Sequence, residues 1–249
     1  MWVKLKSAKL VLKAVLVLFF GLSAPSAMAD KDVEAQVQRI LQGMTLEQKV
    51  GQMIQGEIKW VTPEDVTKYH LGSVLNGGGS FPHRNKASSV DDWLQLADSY
   101  YHASLDRSGG GAGIPLVWGT DAVHGHNNVI GATLFPHNIG LGVANDPALM
   151  KKIGEITARE VAVTGIDWIF APTVAVVKDN RWGRTYEGYS NQSSIVRSYA
   201  GEIVLGMQGE PGELRSNTEK VIGTAKHFIG DGGTFRGIDQ GDVIMDLEQ

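Results

Sequence analysis

Apolar residues recur at helical spacing at Val33, Val37, Ile40, Leu41 and Met44, with polar residues between them. That periodicity predicts an amphipathic helix. Thr45 opens a second helix, because Gln48 stands where a capping box needs it, and the apolar face there is Leu46, Val50, Met53 and Ile54. Thr62-Pro63 reads as an N-cap followed by a first-turn proline. Trp93, Leu96, Ala97, Tyr100 and Tyr101 mark another helix, and Ser108 to Gly113 breaks the chain after it. Asp146-Pro147 starts a helix carrying Leu149, Ile153, Ile156 and Val163, and a further one is built round Val196, Tyr199, Ile203 and Met207. Four short runs between these segments have strand character: residues 72–75, 114–118, 167–171 and 221–228, the third stopped by Pro172.

The alternation of strand and helix predicts a parallel sheet with right-handed crossovers. Polar and glycine-rich clusters follow the strands, at their C-terminal ends. A (β/α)-barrel places its active site there, and so does an open doubly wound sheet. Periodicity alone does not separate the two, since four strong strands are evident and a closed barrel needs eight.

The first 29 residues have a different character. Lys4, Lys6, Lys9 and Lys13 form a basic segment, residues 14–22 an apolar core, and Ala27-Met28-Ala29 a small-x-small site. This is the layout of a secretory signal peptide, with cleavage expected before Asp30 and a secreted or periplasmic product. The apolar run is too short to span a bilayer comfortably. With no cysteine in the chain, a lipid-modified start and disulfides are both excluded, so stability must come from the core. Loss of the four leader lysines moves the formal charge from −4 to −8. A mildly acidic chain argues against a nucleic-acid partner or an anionic membrane surface.

Three clusters could carry chemistry. The first is "TDAVHGHNN", residues 120–128. Asp121 follows directly on an apolar strand, where its two oxygens could accept from vicinal sugar hydroxyls or merely cap the next turn. His124 and His126 are two residues apart, unlike the spacing of a helical metal site, so packed or hydrogen-bonded loop histidines are the expectation. The second is "DNRWGRTYE", residues 179–187. Its guanidiniums supply forked donors and Trp182 a flat apolar face, a combination suited to sugar rings. One arginine is expected to be a structural staple, with Arg181 to Glu187 as a candidate pair. The third is "AKHFIGDGGT", residues 225–234. Lys226 and His227 are adjacent on a strand and should point to opposite faces. Both reach one ligand only if the backbone departs from ideal, through a bulge or a cis non-proline peptide. The Gly-Asp-Gly-Gly run lacks the ending of a P-loop.

Together "GTDAVHGHNNV", "LFPHNIGLG", "DNRWGRTYEGYS" and "AKHFIGDGGT" resemble glycoside hydrolase family 3, in its β-glucosidase and exo-β-glucan hydrolase branch. The likeness covers essentially all of residues 30–249. It implies an N-terminal (β/α)8 TIM-barrel-like domain, of which this chain would hold roughly the first half. It also implies a retaining hydrolase that needs no cofactor and releases terminal β-D-glucose. Asp121, Arg184, Lys226 and His227 are then the expected binders of the sugar's hydroxyls. The related N-acetylglucosaminidase branch carries a histidine in a Gly-His-Gly type loop, and Gly230-Asp231-Gly232-Gly233 stands there instead, which favours glucosides over N-acetylhexosaminides. Asn180 replaces a usual proline, and "SNQSS" a more acidic stretch.

A retaining glycosidase needs two carboxyl groups roughly 5 Å apart. The resemblance implies a nucleophilic Asp in a Ser-Asp-Trp-like motif, which does not occur here, and an acid/base still later. Both are expected beyond Gln249. Asp239, Asp242, Asp246 and Glu248 read as a solvated acidic tail. A half-barrel would leave an open edge strand and expose apolar surface. Two other classes compete with the hydrolase: a non-catalytic sugar-binding module, and a metal-dependent hydrolase using Asp121, His124, His126 and His137.

Overall fold

The structure, a computed structural model, describes residues 25–245. The basic segment and apolar core of the expected leader, and the acidic residues Asp246 and Glu248, lie outside the described residues. Helix α1 (Pro25–Gly43) runs through the expected cleavage site. Helix α2 (Leu46–Gln52) follows, and its capping box is formed. Gln48 N donates to Thr45 Oγ1 at 3.2 Å, and Thr45 N to Gln48 Oε1 at 3.0 Å. The chain divides into two compact units, one ending at Lys49 and a larger one beginning at Val50. Among the described residues no helix is long and apolar enough to cross a membrane.

The larger unit is built on five parallel strands, β1 (Gln55–Glu57), β2 (Ser73–Asn76), β3 (Val117–Thr120), β4 (Trp168–Ile169) and β5 (Ile222–Gly223), paired in the order β1-β2-β3-β4-β5. One strand more is present than the hydrophobic pattern showed. Gln55-Gly56-Glu57 has no apolar side chain to signal it, and a Cβ on Gly56 would lie 2.5 Å from Val61 Cγ2. Among the described residues the strand order never reverses, and they show no switch point of the doubly wound kind. The fold is α/β with its strands in barrel order. The last strand is shorter than residues 221–228: its ladder covers two residues, after which the chain rejoins the extension of β4. There Thr173 bridges Lys226, and Val174 N donates to Lys226 O at 2.7 Å.

The crossovers are helices that the sequence caps explicitly. Helix α3 (Pro63–Tyr69) has the Thr62–Asp65 capping box with proline in its first turn. Helix α4 (Val90–Leu105) has a second such box between Ser89 and Asp92. Helices α5 (Asn138–Ala144) and α6 (Pro147–Ala162) follow, with Asp146 accepting from Leu149 N at the start of α6. Helix α7 (Ser193–Gln208) completes the set. Helices α6 and α7 touch backbone to backbone: a Cβ on Gly206 would sit 3.0 Å from Gly154 Cα and 2.3 Å from Lys151 O. Only glycine permits that approach.

The core lies between sheet and helices. Val74 from β2, Trp118 from β3 and Ile169 from β4 are fully buried with Trp93 and Tyr100 from α4 and Met150, Ile153 and Val161 from α6. Three rings interlock, with Trp93 and Tyr100 centroids 5.8 and 5.7 Å from that of Trp118. The polar ends are satisfied as burial demands: Tyr100 Oη donates to Val61 O at 2.6 Å and Trp118 Nε1 to Asn76 Oδ1 at 2.9 Å. Truncating one such aromatic costs about 3–5 kcal/mol, so this cluster anchors the strand ends that carry the loops.

Candidate functional site

Parallel strands deliver their following loops to one rim. Asp121 leaves β3, residues 179–187 lie in the excursion after β4, and Lys226-His227 follow β5. At that rim is a cavity of about 310 Å³, lined by Asp121, Val123, His124, Asn127, His137, Arg184, Tyr186, Glu187, Lys226 and His227. The structure thus brings together all four residues expected to bind a sugar. The Lys226–His227 peptide bond is cis, and both side chains line the cavity.

The charged groups are arranged in pairs. Lys226 Nζ donates to Asp121 Oδ1 at 2.8 Å. Arg184 grips Glu187 with both arms of its fork, Nε to Oε1 at 2.8 Å and Nη2 to Oε2 at 2.7 Å, and its Nη2 also lies 3.0 Å from His227 Nε2. His227 Nδ1 lies 2.6 Å from Asp231 Oδ2. Burial raises the Glu187 carboxyl, but the hydrogen bonds and charge of Arg184 outweigh it and leave the group below its ordinary pKa. The same bonds push the Arg184 guanidinium up. Donor capacity remains for a ligand: an ammonium has three N–H bonds and a guanidinium five, and Arg184 Nη1 and two of the Lys226 protons have no bond to another described residue.

A stacked wall of rings closes the other side. His124 Nδ1 lies 2.8 Å from Phe135 O, and its ring stacks on His137 with centroids 4.1 Å apart. His137 caps helix α5, its Nδ1 accepting from Asn138 N at 3.1 Å, and meets Tyr186 edge-on at 4.5 Å. Burial, then the neighbouring His124, holds the His137 imidazole below its ordinary pKa. Tyr186, Glu187 and Asn127 were not singled out from the sequence as binders. Their signal is position alone, since all three lie inside the clusters that carry Asp121 and Arg184.

Several sequence expectations are corrected. Trp182 is not a platform for a sugar. It is 1% exposed, packed with Ala175 and Val177, and its Nε1 donates to Asp239 Oδ1 at 2.8 Å. Asp239 is therefore tied into the fold rather than part of a solvated tail. The structural staple is Arg181 with Asp179, not Arg181 with Glu187. That pairing holds the Asp179 carboxyl down at about 2. His126 is turned into the core, with Nε2 3.1 Å from Thr164 Oγ1, while His124 stays at the cavity. Among the described residues, no three His, Cys, Asp or Glu side chains are placed to share a metal ion.

Residues 45–246 match the model of the glycosyl hydrolase family 3 N terminal domain. This chain belongs to glycosyl hydrolase family 3. It is similar to the lysosomal beta glucosidase of Dictyostelium discoideum, 31% identical over 78% of this chain and 25% of that protein. It is also similar to the periplasmic beta-glucosidase of Salmonella typhimurium, 25% identical over 87% of this chain and 26% of that protein. Among solved structures, the exo-1,3/1,4-beta-glucanase of a Pseudoalteromonas species is 56% identical with a TM-score of 0.84, over 87% of this chain and 27% of that one. A mutant beta-glucosidase of Listeria innocua in complex with laminaribiose is 27% identical with a TM-score of 0.69, over 86% of this chain and 29% of that one. The chain thus spans about a quarter to three-tenths of the length of these relatives.

Proposed function

We propose that this chain supplies the sugar clamp of a secreted or periplasmic, exo-acting family 3 β-glucosidase. The enzyme would release terminal non-reducing β-D-glucose from β-glucosides or β-glucan oligosaccharides, with retention and without a cofactor. One observation carries the reading: Asp121, Arg184, Lys226 and His227, drawn from three separate loops, line a single cavity. A neutral polyol suits that cavity. Asp121 keeps one oxygen free of the Lys226 bond, and Arg184 and Lys226 keep N–H donors, so hydroxyls exchange with existing pairs without leaving a charge stranded. Such bonds speed hydrolysis where they tighten in the transition state. The relatives named beta-glucosidase and exo-glucanase support the substrate class, and the Gly-Asp-Gly-Gly loop supports glucosides over N-acetylhexosaminides.

The catalytic pair is assigned elsewhere in the enzyme. Asp121, Glu187 and Asp231 each already lie against a basic side chain. A retaining nucleophile and its acid/base require two carboxyl groups facing the scissile bond, and these three are committed to holding the clamp. The chain alone therefore binds glucose and does not turn over an aryl β-glucoside. Calorimetric titration with glucose and with N-acetylglucosamine tests this. Saturable binding of glucose, weakened in Asp121→Asn, is the expected result. Absence of saturable glucose binding, or tighter binding of N-acetylglucosamine, refutes it.

A further inference from the structure

We propose that Asp231 is a positioning residue: it holds His227 as the Nδ1–H tautomer, so that Nε2 meets Arg184 as a hydrogen-bond acceptor and fixes the guanidinium at the cavity. The argument starts from what a guanidinium can do. It has five N–H donors and no acceptor. Arg184 Nη2 lies 3.0 Å from His227 Nε2, so that nitrogen must be the bare one. The ring's proton is then on Nδ1, and Nδ1 lies 2.6 Å from Asp231 Oδ2. Both atoms are buried, and neither has a formed hydrogen bond, to the other or to any further group. The contact is short enough for a charge-assisted bond, with an angle that ring rotation must still straighten.

The loop explains how the acid comes to stand there. Gly230 and Gly232 flank Asp231 with φ of 90° and 87°, a backbone region open to glycine at no steric cost. Those two turns fold the chain back so that residue 231 faces residue 227. Lys178 N donates to Gly232 O at 2.8 Å and pins the loop, and a Cβ on Gly232 would lie 3.0 Å from Val176 O. The glycine run is thus a device for aiming a carboxylate at a histidine. The result is a continuous row, Asp231, His227, Arg184, Glu187, in which each side chain fixes the next. The single lone pair of His227 Nε2 takes the Arg184 bond, so a ligand hydroxyl reaches that nitrogen only by displacing it.

For its role toward a ligand this proposal rests on the sugar-clamp reading, but its test does not. Histidine-ring 15N labelling of the whole chain gives the tautomer from long-range proton–nitrogen correlations, with the His227 signals identified by their loss in His227→Gln. The expected wild-type pattern is a protonated Nδ1 and a bare Nε2. Asp231→Ala should shift population toward the Nε2–H form and weaken glucose binding about tenfold. Asp231→Asn keeps an acceptor oxygen and should restore both. A protonated Nε2 in the wild type, or an unchanged tautomer ratio in Asp231→Ala, overturns the proposal. Should Asp231→Ala fail to fold, the wild-type pattern with that of Asp231→Asn still decides. The expected tautomers without any glucose binding would support the role of Asp231 and defeat the sugar-clamp reading.

Discussion

Acidification should unfold this protein through His126. The imidazole is 1% exposed, set edge-on to Trp93 at 6.2 Å, and bonded through Nε2 to Thr164. Its Nδ1 is buried with no hydrogen-bond partner, so a second proton has nothing to receive it. Burial, and secondly the charge of Lys86, depress the group from 6.5 to about 4. Above pH 6.5 neither folded nor unfolded chain binds this proton, and the stability is undiminished. As the pH falls from 6.5 toward 4 the unfolded chain takes it up and the folded one does not, so stability declines with pH. The gap corresponds to roughly 3 kcal/mol, at about 1.4 kcal/mol per pH unit where one proton separates the states. That is a large share of the 5–15 kcal/mol of a typical domain. Urea unfolding followed by tryptophan fluorescence, from about pH 7.5 to about pH 4, should show this slope in the wild type. His126→Phe keeps the aromatic contact and loses the titration, so it should start less stable and lose less on acidification. Parallel pH profiles for the two proteins would refute the reasoning, as would an imidazole signal of His126 titrating near 6.5.

Other expectations follow from single contacts. Gly142→Ala places a Cβ 1.7 Å from Tyr189 O; it should cost about 3 kcal/mol, or roughly 10 °C in Tm, and a loss below about 1 kcal/mol in thermal unfolding would show that α5 is not held there. Trp118→Phe strands the buried Asn76 Oδ1 and should cost about 1–3 kcal/mol by urea unfolding, an unchanged midpoint being the contrary result. Asp121→Asn removes the charge from the Lys226 pair and from any ligand bond, so glucose affinity should fall roughly tenfold to hundredfold by calorimetry. Aryl β-glucoside assays of the purified chain should stay at background, and robust turnover would place a catalytic carboxylate among the residues described.

Much of the fold was legible because burial leaves a period. The helix marked by Trp93 and Tyr100 and the one marked by Ile153 and Ile156 were visible as stripes, and their Ser89 and Asp146 caps are formed in the structure. Strand β1 was not legible, since Gln55 and Glu57 carry no apolar signal. The meeting of Asp121, Arg184, Lys226 and His227 at one cavity follows from the motifs rather than from periodicity. The misreadings share a cause. An indole and a carboxylate look available in sequence, yet Trp182 and Asp239 satisfy each other. Which of two arginines is the staple is decided by which acid lies within reach, and Asp179 is two residues from Arg181. The Trp182–Asp239 pairing, 57 residues apart, is fixed in three dimensions and leaves no trace in spacing.

The unreversed strand order has a consequence for how this site can vary. Chain position translates directly into angular position around the rim, so the β3, β4 and β5 loops occupy successive sectors in the order in which they are translated. The sectors are not all equally independent, since Trp182 bonds Asp239 and Arg184 meets His227 across the β4 and β5 loops. Exchange of residues 179–187 between relatives would therefore alter the arginine sector and press on the β5 sector beside it, while Asp121 on the far side keeps its station.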